Sequence, residues 1–152
     1  MDEWLIRKVE ISEILEVGKI YCEEENIEIT QGYVQSAKIA YEKMLSKGDF
    51  ILGAFNDKKI LGCISVHFLN DTYPGYANGC YVHIETVVIG KKYRGNGIAT
   101  DLLREAIQIA KENNVTYCLI QTGDDNYPAR RAFEKAGFKH YNVNYCLDLT
   151  TK

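Results

Sequence analysis

The stretch that decides the fold runs from Val87 to Thr100 and reads Val-Val-Ile-Gly-Lys-Lys-Tyr-Arg-Gly-Asn-Gly-Ile-Ala-Thr. An apolar strand passes through a cationic, glycine-rich turn into a segment with helical periodicity. Gly95 and Gly97 let the backbone approach a ligand closely, and the unpaired amides at a helix N-terminus favour an anion. Arg94 would add a charge-assisted contact. The stretch therefore predicts an anion-binding turn between a strand and a helix.

Two familiar phosphate motifs do not fit this turn. A P-loop requires Gly-Lys-Ser/Thr at the helix start, where this chain has Gly97-Ile98-Ala99. A dinucleotide fingerprint requires Gly or Ala at the position of Thr100. Its turn also follows the strand immediately, whereas in this chain several residues separate Ile89 from Gly95. Two alternatives remain: another kind of anion site, or a glycine turn that only caps the helix and leaves its lysines in solvent.

Hydrophobic periodicity on both sides of the turn predicts further strands and helices. Before the turn we predict a strand at 5–9, a first helix of three to four turns, a second helix at 33–47, strands at 50–55, 60–69 and 81–89, and a loop at 70–79. After the turn we predict a helix at 98–113, a strand at 115–121, a helix at 128–136 and one or two closing strands within 138–149. Hairpin-linked early strands and helix-linked later strands predict an α/β (α+β) layered fold with a mixed sheet.

The composition is that of one globular domain. The chain has 152 residues, 46% of them hydrophobic, with 18 Lys and Arg against 21 Asp and Glu. No repeat or linker interrupts it, so a single domain over residues 1–152 is predicted. An isoelectric point of 5.6 argues against a nucleic-acid-binding protein.

The cysteines and the first residues of the chain indicate the cellular compartment, and the histidines indicate whether a metal site is present. Five cysteines without a CxxC pair are predicted to be buried, reduced thiols, and three histidines lack metal-ligand spacing, so no metal site is predicted. The residues from Met1 to Leu5 lack the cationic head and apolar run of a secretory signal, and no apolar run could span a bilayer. We therefore expect a cytoplasmic protein without membrane contact.

Two separated motifs carry a resemblance to a known family. Residues 94–99 read Arg-Gly-Asn-Gly-Ile-Ala, and residues 126–138 read Asn-Tyr-Pro-Ala-Arg-Arg-Ala-Phe-Glu-Lys-Ala-Gly-Phe. They resemble, in the right order, the Arg/Gln-x-x-Gly-x-Gly/Ala and Asn-x-x-Ala-x-x-x-Tyr-Glu-Lys-x-Gly-Phe signatures of the GNAT superfamily of acyl-CoA-dependent N-acetyltransferases. The resemblance implies the GNAT fold, a mixed, mostly antiparallel sheet of six to seven strands flanked by four helices.

The resemblance also implies a binding site for acetyl-CoA, the acyl donor. The pantetheine arm would pair with the backbone of Val87, Val88 and Ile89. The pyrophosphate would lie on the amides of Arg94, Gly95, Asn96, Gly97, Ile98, Ala99 and Thr100. Asn126 would contact the pantetheine region, and Phe133 would lie beside the thiol end. Arg130 and Arg131 would either reach the adenosine phosphate or be solvated.

The implied reaction is acetyl transfer from a thioester to a primary amine of a small molecule or peptide, by direct attack in a ternary complex. An alkylamine is protonated at neutral pH and must lose a proton before it can attack. Glu85 precedes the expected cofactor-pairing residues and is the candidate base. The alternatives for Glu85 are an ion-paired strand carboxylate or a charge that attracts a cationic substrate. His83 is a weaker candidate base, or an ordinary strand histidine.

Phe133 departs from the family pattern, because the family has a tyrosine there that protonates the departing thiolate. Tyr93, Tyr127 or Tyr145 could replace it, and the sequence does not rank them. A rival interpretation is a catalytically weak acetyl-CoA-binding sensor or regulatory module.

The acceptor amine is weakly specified by the sequence. Acidic residues favour a cationic acceptor, or they form only a solvated face: Glu23, Glu24, Glu25, Glu28 and Asp71. Residues 83–88 also resemble a segment of the glucosamine-phosphate acetyltransferases, which makes a phosphorylated sugar a further alternative acceptor. The excess of acidic residues argues against such an acceptor. The sequence leaves open whether the chain forms a homodimer.

Overall fold

A five-stranded mixed sheet with helices on both faces forms the part of the chain that the computed structural model describes, residues 3–57, 59–70, 80–141, 143–147 and 149–150. The strands are β1 (Leu5–Lys8), β2 (Phe50–Asn56), β3 (Lys59–Leu69), β4 (Tyr81–Ile89) and β5 (Tyr117–Ile120). The helices are α1 (Ile14–Glu25), α2 (Gln31–Ser46), α3 (Ile98–Glu112) and α4 (Tyr127–Ala136). The predicted fold class is confirmed.

The strands lie in the order β1-β2-β3-β4-β5. The first four pair antiparallel, and β4 pairs parallel with β5. This change of direction follows from the connection, because a helix such as α3 is long enough to return the chain to the same end of the sheet. The prediction of a mixed, mostly antiparallel sheet is confirmed.

The predicted number of six to seven strands is wrong for the described residues, which contain five. No strand is assigned from Phe138 onward within the described part. The apolar residues that alternate in this segment are exposed: Val143 by 64%, Tyr145 by 95%, Leu147 by 80% and Leu149 by 86%. Alternation alone predicted a strand here, but a strand also requires a pairing partner and a face to bury. The loop predicted at 70–79 lies, from residue 71 onward, outside the described residues.

The helices begin and end at the residues that cap them. The hydroxyl of Thr30 accepts from the backbone of Tyr33 at 3.1 Å, so α2 begins two residues earlier than predicted. Pro128 lies in the first turn of α4, and Gly137, with φ 104°, ends that helix.

Two hydrophobic clusters cover the two faces of the sheet. One lies under α3 and α4 and includes Leu102, Leu103 and Ala106. The other lies under α1 and α2 and includes Ile14, Val17 and Tyr41. We refer to the two sides as the α3/α4 face and the α1/α2 face.

The prediction that all five cysteines are buried is wrong. Cys22 and Cys63 are buried, Cys80 and Cys118 are half-buried, and Cys146, which follows α4, is exposed. Among the described residues, every helix is too short or too polar to cross a membrane.

Candidate active site

A bulge interrupts β4 near its middle. Ser65 of β3 lies opposite Glu85, whereas Cys63 lies opposite Val88, so β4 has one extra residue over this interval. Thr86, inside the bulge, has a left-handed backbone with φ 48°. Such a conformation is costly for a β-branched residue, and strain of this kind is concentrated at functional sites.

The bulge reverses the alternation of side chains along β4. Val82 and Ile84 belong to the cluster on the α3/α4 face, so Glu85 points to the opposite face. Val88, three residues later, belongs to the cluster on the α1/α2 face. The bulge therefore places Glu85 and Val88 on the same face, although regular alternation would separate them.

The second half of β4 has one open edge. The pairing of β4 with β5 covers Tyr81 to Ile84 and goes no further in the described part of the chain. Beyond Ile84, β4 pairs with β3 alone. Val87, Val88 and Ile89 therefore lie along a free edge, and such an edge can bind an extended chain through backbone hydrogen bonds.

The glycine turn leads from this edge into α3. Gly95 and Gly97 have φ values of 82° and 92°, which glycine adopts at little cost. Gly97 is the N-cap residue of α3 and offers no side chain to its amides. The first helical bond runs from the amide of Asp101 to the carbonyl of Gly97 at 3.1 Å. The amides of residues 98–100 therefore have no intrahelical acceptor.

The turn has room for a ligand. A Cβ atom added to Gly95 or Gly97 would meet no heavy atom of the described structure within 4 Å. The side-chain amide of Asn96 donates to the carbonyl of Tyr93 at 3.1 Å and closes the turn from the other side. The loop is therefore braced from within, and its glycine side is open.

Arg94, the predicted anion-binding cation, already has partners. Its guanidinium forms an ion pair with Glu24 of α1, and its Nε donates to the carbonyl of Ile89 at 3.1 Å. Sequence reasoning gave Glu24 either to a cationic acceptor or to a solvated face and missed this pairing, because the two residues are 70 positions apart. Glu24 therefore competes with an anionic ligand for the Nη2 group of Arg94.

Glu85 lies between two histidines. Its carboxylate oxygens are 3.1 Å from Nδ1 of His83 and 3.7 Å from Nε2 of His67. The Nδ1 atom of His67 is in turn 3.2 Å from the carboxylate of Asp49. Sequence reasoning missed His67 and Asp49. The predicted strands 60–69 and 81–89 could have indicated His67. If the last residue of the first strand, Leu69, faces the first residue of the second, Tyr81, then His67 faces His83.

A small cavity opens on the same face of the sheet. Its volume is about 220 Å³, and its lining is mostly apolar, with Ile14, Val17, Tyr33, Ala37, Thr86 and Val88 among the residues. Burial, with a hydrogen bond to Cys22 as a smaller cause, raises the pKa of Tyr33 to about 12. Burial also raises the pKa of the Cys63 thiol to about 12. Both side chains are therefore neutral at pH 7, and the cavity wall carries no charge from them.

Comparisons with known proteins agree with this geometry. The profile of the "Acetyltransferase (GNAT) family" matches residues 14–138. The chain belongs to this family. Two curated relatives are streptothricin acetyltransferase A of Bacillus subtilis strain 168, 34% identical over 76 residues, and N-alpha-acetyltransferase 30 of Schizosaccharomyces pombe, 27% identical over 97 residues.

The matched regions are partial. They cover 50% and 64% of this chain, and they span only 41% and 62% of the two relatives.

The crystal structure of glucosamine-6-phosphate N-acetyltransferase from Arabidopsis thaliana superposes with a TM-score of 0.77 and 19% identity, covering 96% of this chain and 98% of that chain. That similarity shows the GNAT fold.

The second GNAT motif lies on α4. Asn126 is the N-cap residue, and its side-chain oxygen accepts from the amide of Ala129 at 3.3 Å. Phe133 is buried, with 8% exposure, and its ring lies 6.2 Å from that of Phe138 in the cluster on the α3/α4 face. Both residues therefore have structural roles, and their predicted contacts with a ligand stay predictions. Arg130 donates to the carbonyl of Asp124 at 2.9 Å.

No group of three or more His, Cys, Asp or Glu side chains arranged to hold a metal ion occurs among the described residues.

Proposed function

We propose that this GNAT protein transfers an acetyl group from acetyl-CoA to a primary amine of a small molecule or peptide. The attack is direct, within a ternary complex. The observation that carries the proposal is the continuity of the open β4 edge with the glycine turn and the N-terminus of α3. An extended ligand with an anionic end fits this path, because the edge offers backbone hydrogen bonds and the turn offers free amides.

The residues that would hold acetyl-CoA follow from this path. Val87, Val88 and Ile89 would pair with the pantetheine arm. The amides of residues 94–100 would bind the pyrophosphate, with Gly95 and Gly97 providing the close approach. When bound, acetyl-CoA supplies the activated acyl group, and the amide of Val87 or Val88 would donate to the thioester oxygen as negative charge develops there.

Glu85 would accept the proton that the acceptor ammonium must lose. It lies on the α1/α2 face, as do the cavity residues Thr86 and Val88, and its side chain is 51% exposed and can be reached by a substrate. A free glutamate carboxylate is a weaker base than an alkylamine by about six pKa units, so Glu85 requires help from its surroundings.

The acceptor amine would carry an apolar portion. The cavity wall is mainly aliphatic and aromatic, and Glu24, one of the acids that favoured a cationic acceptor, is paired with Arg94. One relative is named for streptothricin and the other for N-alpha-acetylation. Small-molecule amines and peptide amines both belong in an acceptor screen.

Binding of acetyl-CoA is tested first, by thermal and chemical unfolding. A ligand at 100 times its dissociation constant should stabilise the protein by about 2.7 kcal/mol. Gly97→Ala should weaken binding severalfold, because the methyl group enters the turn. Gly48→Ala is the matched control: Gly48 also has a positive φ, 85°, and open space, but it lies at the end of α2. Equal effects of both variants on affinity would exclude the turn as the binding site.

Glu85→Gln tests the catalytic part. We expect turnover to fall by at least about 100-fold, within the usual range for general acid–base catalysis, with the affinity for acetyl-CoA changed less than twofold. Glu105→Gln, an exposed position on α3, controls for the loss of a charge. An unchanged rate would remove Glu85 from the mechanism.

A second candidate function is a sensor that binds acetyl-CoA without efficient transfer. It is favoured by one observation, the burial of Phe133 where the family has a tyrosine acid. A thiol with an ordinary pKa of about 8.5 is already an acceptable leaving group, so transfer remains feasible without that acid. Stabilisation by acetyl-CoA together with no release of coenzyme A across the amine screen would favour the sensor.

The extent of the domain over residues 1–152, a cytoplasmic location and the formation of a homodimer stay predictions.

A further inference from the structure

Four ionisable side chains form a row on the α1/α2 face of the sheet. Asp49 immediately precedes β2, His67 lies on β3, and His83 and Glu85 lie on β4. Successive contacts join Asp49 to His67, His67 to Glu85, and Glu85 to His83 at 3.2, 3.7 and 3.1 Å. The row leads from a buried carboxylate to the carboxylate proposed as the base.

Asp49 determines how His67 is oriented. Its side chain is 9% exposed, and its Oδ1 accepts from the backbone amide of Phe68 at 2.9 Å. Its Oδ2 faces Nδ1 of His67. An ionised carboxylate only accepts hydrogen bonds, so Nδ1 of His67 must carry the proton. In neutral His67 the Nε2 atom therefore has the free lone pair.

That lone pair faces Glu85. The Nε2 atom lies 3.7 Å from Oε2 of Glu85, which is longer than a hydrogen bond, so the half-exposed side chain of Glu85 must move closer before a proton can pass between them. The closer contact is favourable when His67 and Glu85 together hold one additional proton. The Nδ1 atom of His83 lies 3.1 Å from the other oxygen of Glu85. In the described structure, the ion pairs of His67 and Glu85 are with each other, Asp49 and His83.

We propose that His67, held by Asp49, is a positioning residue that relays the proton taken up by Glu85; this inference rests on the proposed acetyl transfer. An N–H bond of the acceptor ammonium breaks as an O–H bond forms on Glu85. That O–H bond then breaks as Nε2 of His67 gains the proton, and the resulting imidazolium is paired with Asp49. The proton leaves to solvent, since the side chain of His67 is 21% exposed.

The relay supplies the help that Glu85 requires. An imidazole is an intrinsically stronger base than a carboxylate. Passing the proton to His67 therefore favours deprotonation of the amine. The same pairing restores the ionised form of Glu85 for the next turnover.

His67→Asn is the principal test. Asparagine keeps a donor for Asp49 and removes the Nε2 atom. We expect kcat to fall by about 10- to 100-fold and the acid limb of the kcat–pH profile to be lost, because an already protonated His67 cannot accept a proton from Glu85. The KM for acetyl-CoA should change less than twofold. His140→Asn, an exposed histidine near the C-terminus, is the matched control and should keep the wild-type profile.

Asp49→Asn tests the orientation of the ring. The asparagine oxygen can still accept from Phe68, while its amide donates to Nδ1 of His67. The proton of His67 then resides on Nε2, which cannot accept from Glu85, so the same loss of the acid limb is expected. The melting temperature and the stabilisation by acetyl-CoA show that each variant is folded. His67→Ala with added imidazole should recover part of the rate, which a purely structural role would not allow.

The assays use spermidine, an aminoglycoside and a lysine-containing peptide as acceptors. Coenzyme A release is followed by chromatography, because Cys146 is exposed and would react with a thiol reagent. If Glu85→Gln lowers the rate of transfer while His67→Asn keeps the wild-type rate and pH profile, the relay is overturned and the proposed function is not. Absence of transfer by the wild-type chain overturns the proposed function and the relay together.

Discussion

The two faces of the sheet are stabilised in different ways. On the α3/α4 face the buried cluster is aliphatic and aromatic, with Leu102, Leu103 and Ala106 fully buried, and α3 adds one buried polar residue, Thr100. On the α1/α2 face the largest buried side chain is Tyr41, whose hydroxyl donates to the carbonyl of Val9 at 2.6 Å. The same face holds the row of ionisable residues and the cavity.

This difference indicates that one face supports the backbone and that the other holds the side chains proposed to react. A close-packed apolar layer holds the start of α3, and therefore the glycine turn, in one position. An acceptor amine, by contrast, requires space and polar partners, which a closely packed apolar layer does not offer. The α3/α4 face thus fixes the backbone of the proposed acetyl-CoA site, and the α1/α2 face provides the side chains that would react.

The largest expected effect is on the α3/α4 face. Leu102→Ala should lower the free energy of unfolding by about 2–5 kcal/mol, because a fully buried leucine is replaced by a cavity. Urea denaturation measures this value. Ile39→Ala on α2 is the control, since Ile39 is 56% exposed. A loss below about 1 kcal/mol in Leu102→Ala would contradict close packing under α3.

The α1/α2 face should depend on polar contacts. Tyr41→Phe keeps the ring but leaves the buried carbonyl of Val9 without this donor, and the hydroxyl also accepts from the amide of Ile51 at 3.4 Å. We expect a loss of about 1–3 kcal/mol by the same denaturation experiment. Tyr127→Phe, at a 61% exposed position, should be neutral. A neutral Tyr41→Phe would mean that both faces are stabilised by apolar packing alone.

The ion pair between Glu24 of α1 and Arg94 of the glycine turn is tested by substitution of Glu24. Glu24→Gln releases Arg94 from its ion pair and should increase the affinity for acetyl-CoA by up to about fivefold, the value of an exposed pair. The gain should shrink as salt increases, and calorimetric titration measures both effects. Glu16→Gln, which breaks the pair with Lys19 on the same helix, should leave affinity unchanged. Weaker binding in Glu24→Gln would instead mean that Glu24 orients Arg94 for the ligand.

The smallest effect is expected at the ion pair between Arg7 and Glu13. The hydrogen bond from Arg7 is the main cause that lowers the pKa of Glu13 below its ordinary value of 4.5. The pair therefore adds stability above that pH, and the contribution is lost as the pH falls through the lowered pKa. Glu13→Gln should be less stable than wild type by about 0.2–1 kcal/mol at pH 7. The difference should shrink toward zero in urea denaturation as the pH falls below 4.5 and through the lowered pKa of Glu13; a constant difference would contradict the pairing.

Much of the donor site could be predicted from the sequence because its residues are adjacent in the chain. The strand, the turn with Gly95 and Gly97, and the start of α3 occupy one short segment, and local backbone preferences determine its shape. The register of the β3–β4 hairpin could also be counted, which would have placed His67 opposite His83. The C-terminal strand prediction failed because alternation says nothing about whether an edge is available for pairing.

The amino-acid sequence by itself therefore determined the family, the glycine turn and the order of elements up to α4, since these depend on periodicity and on neighbouring residues. Only the tertiary structure decided that Glu85 lies between His67 and His83, that Asp49 holds His67, and that Glu24 holds Arg94. The reason is physical: the contacts of His67 with Glu85 and Asp49, and of Arg94 with Glu24, join residues distant in the chain, and a one-residue bulge at Thr86 decides which face Glu85 shares with Val88.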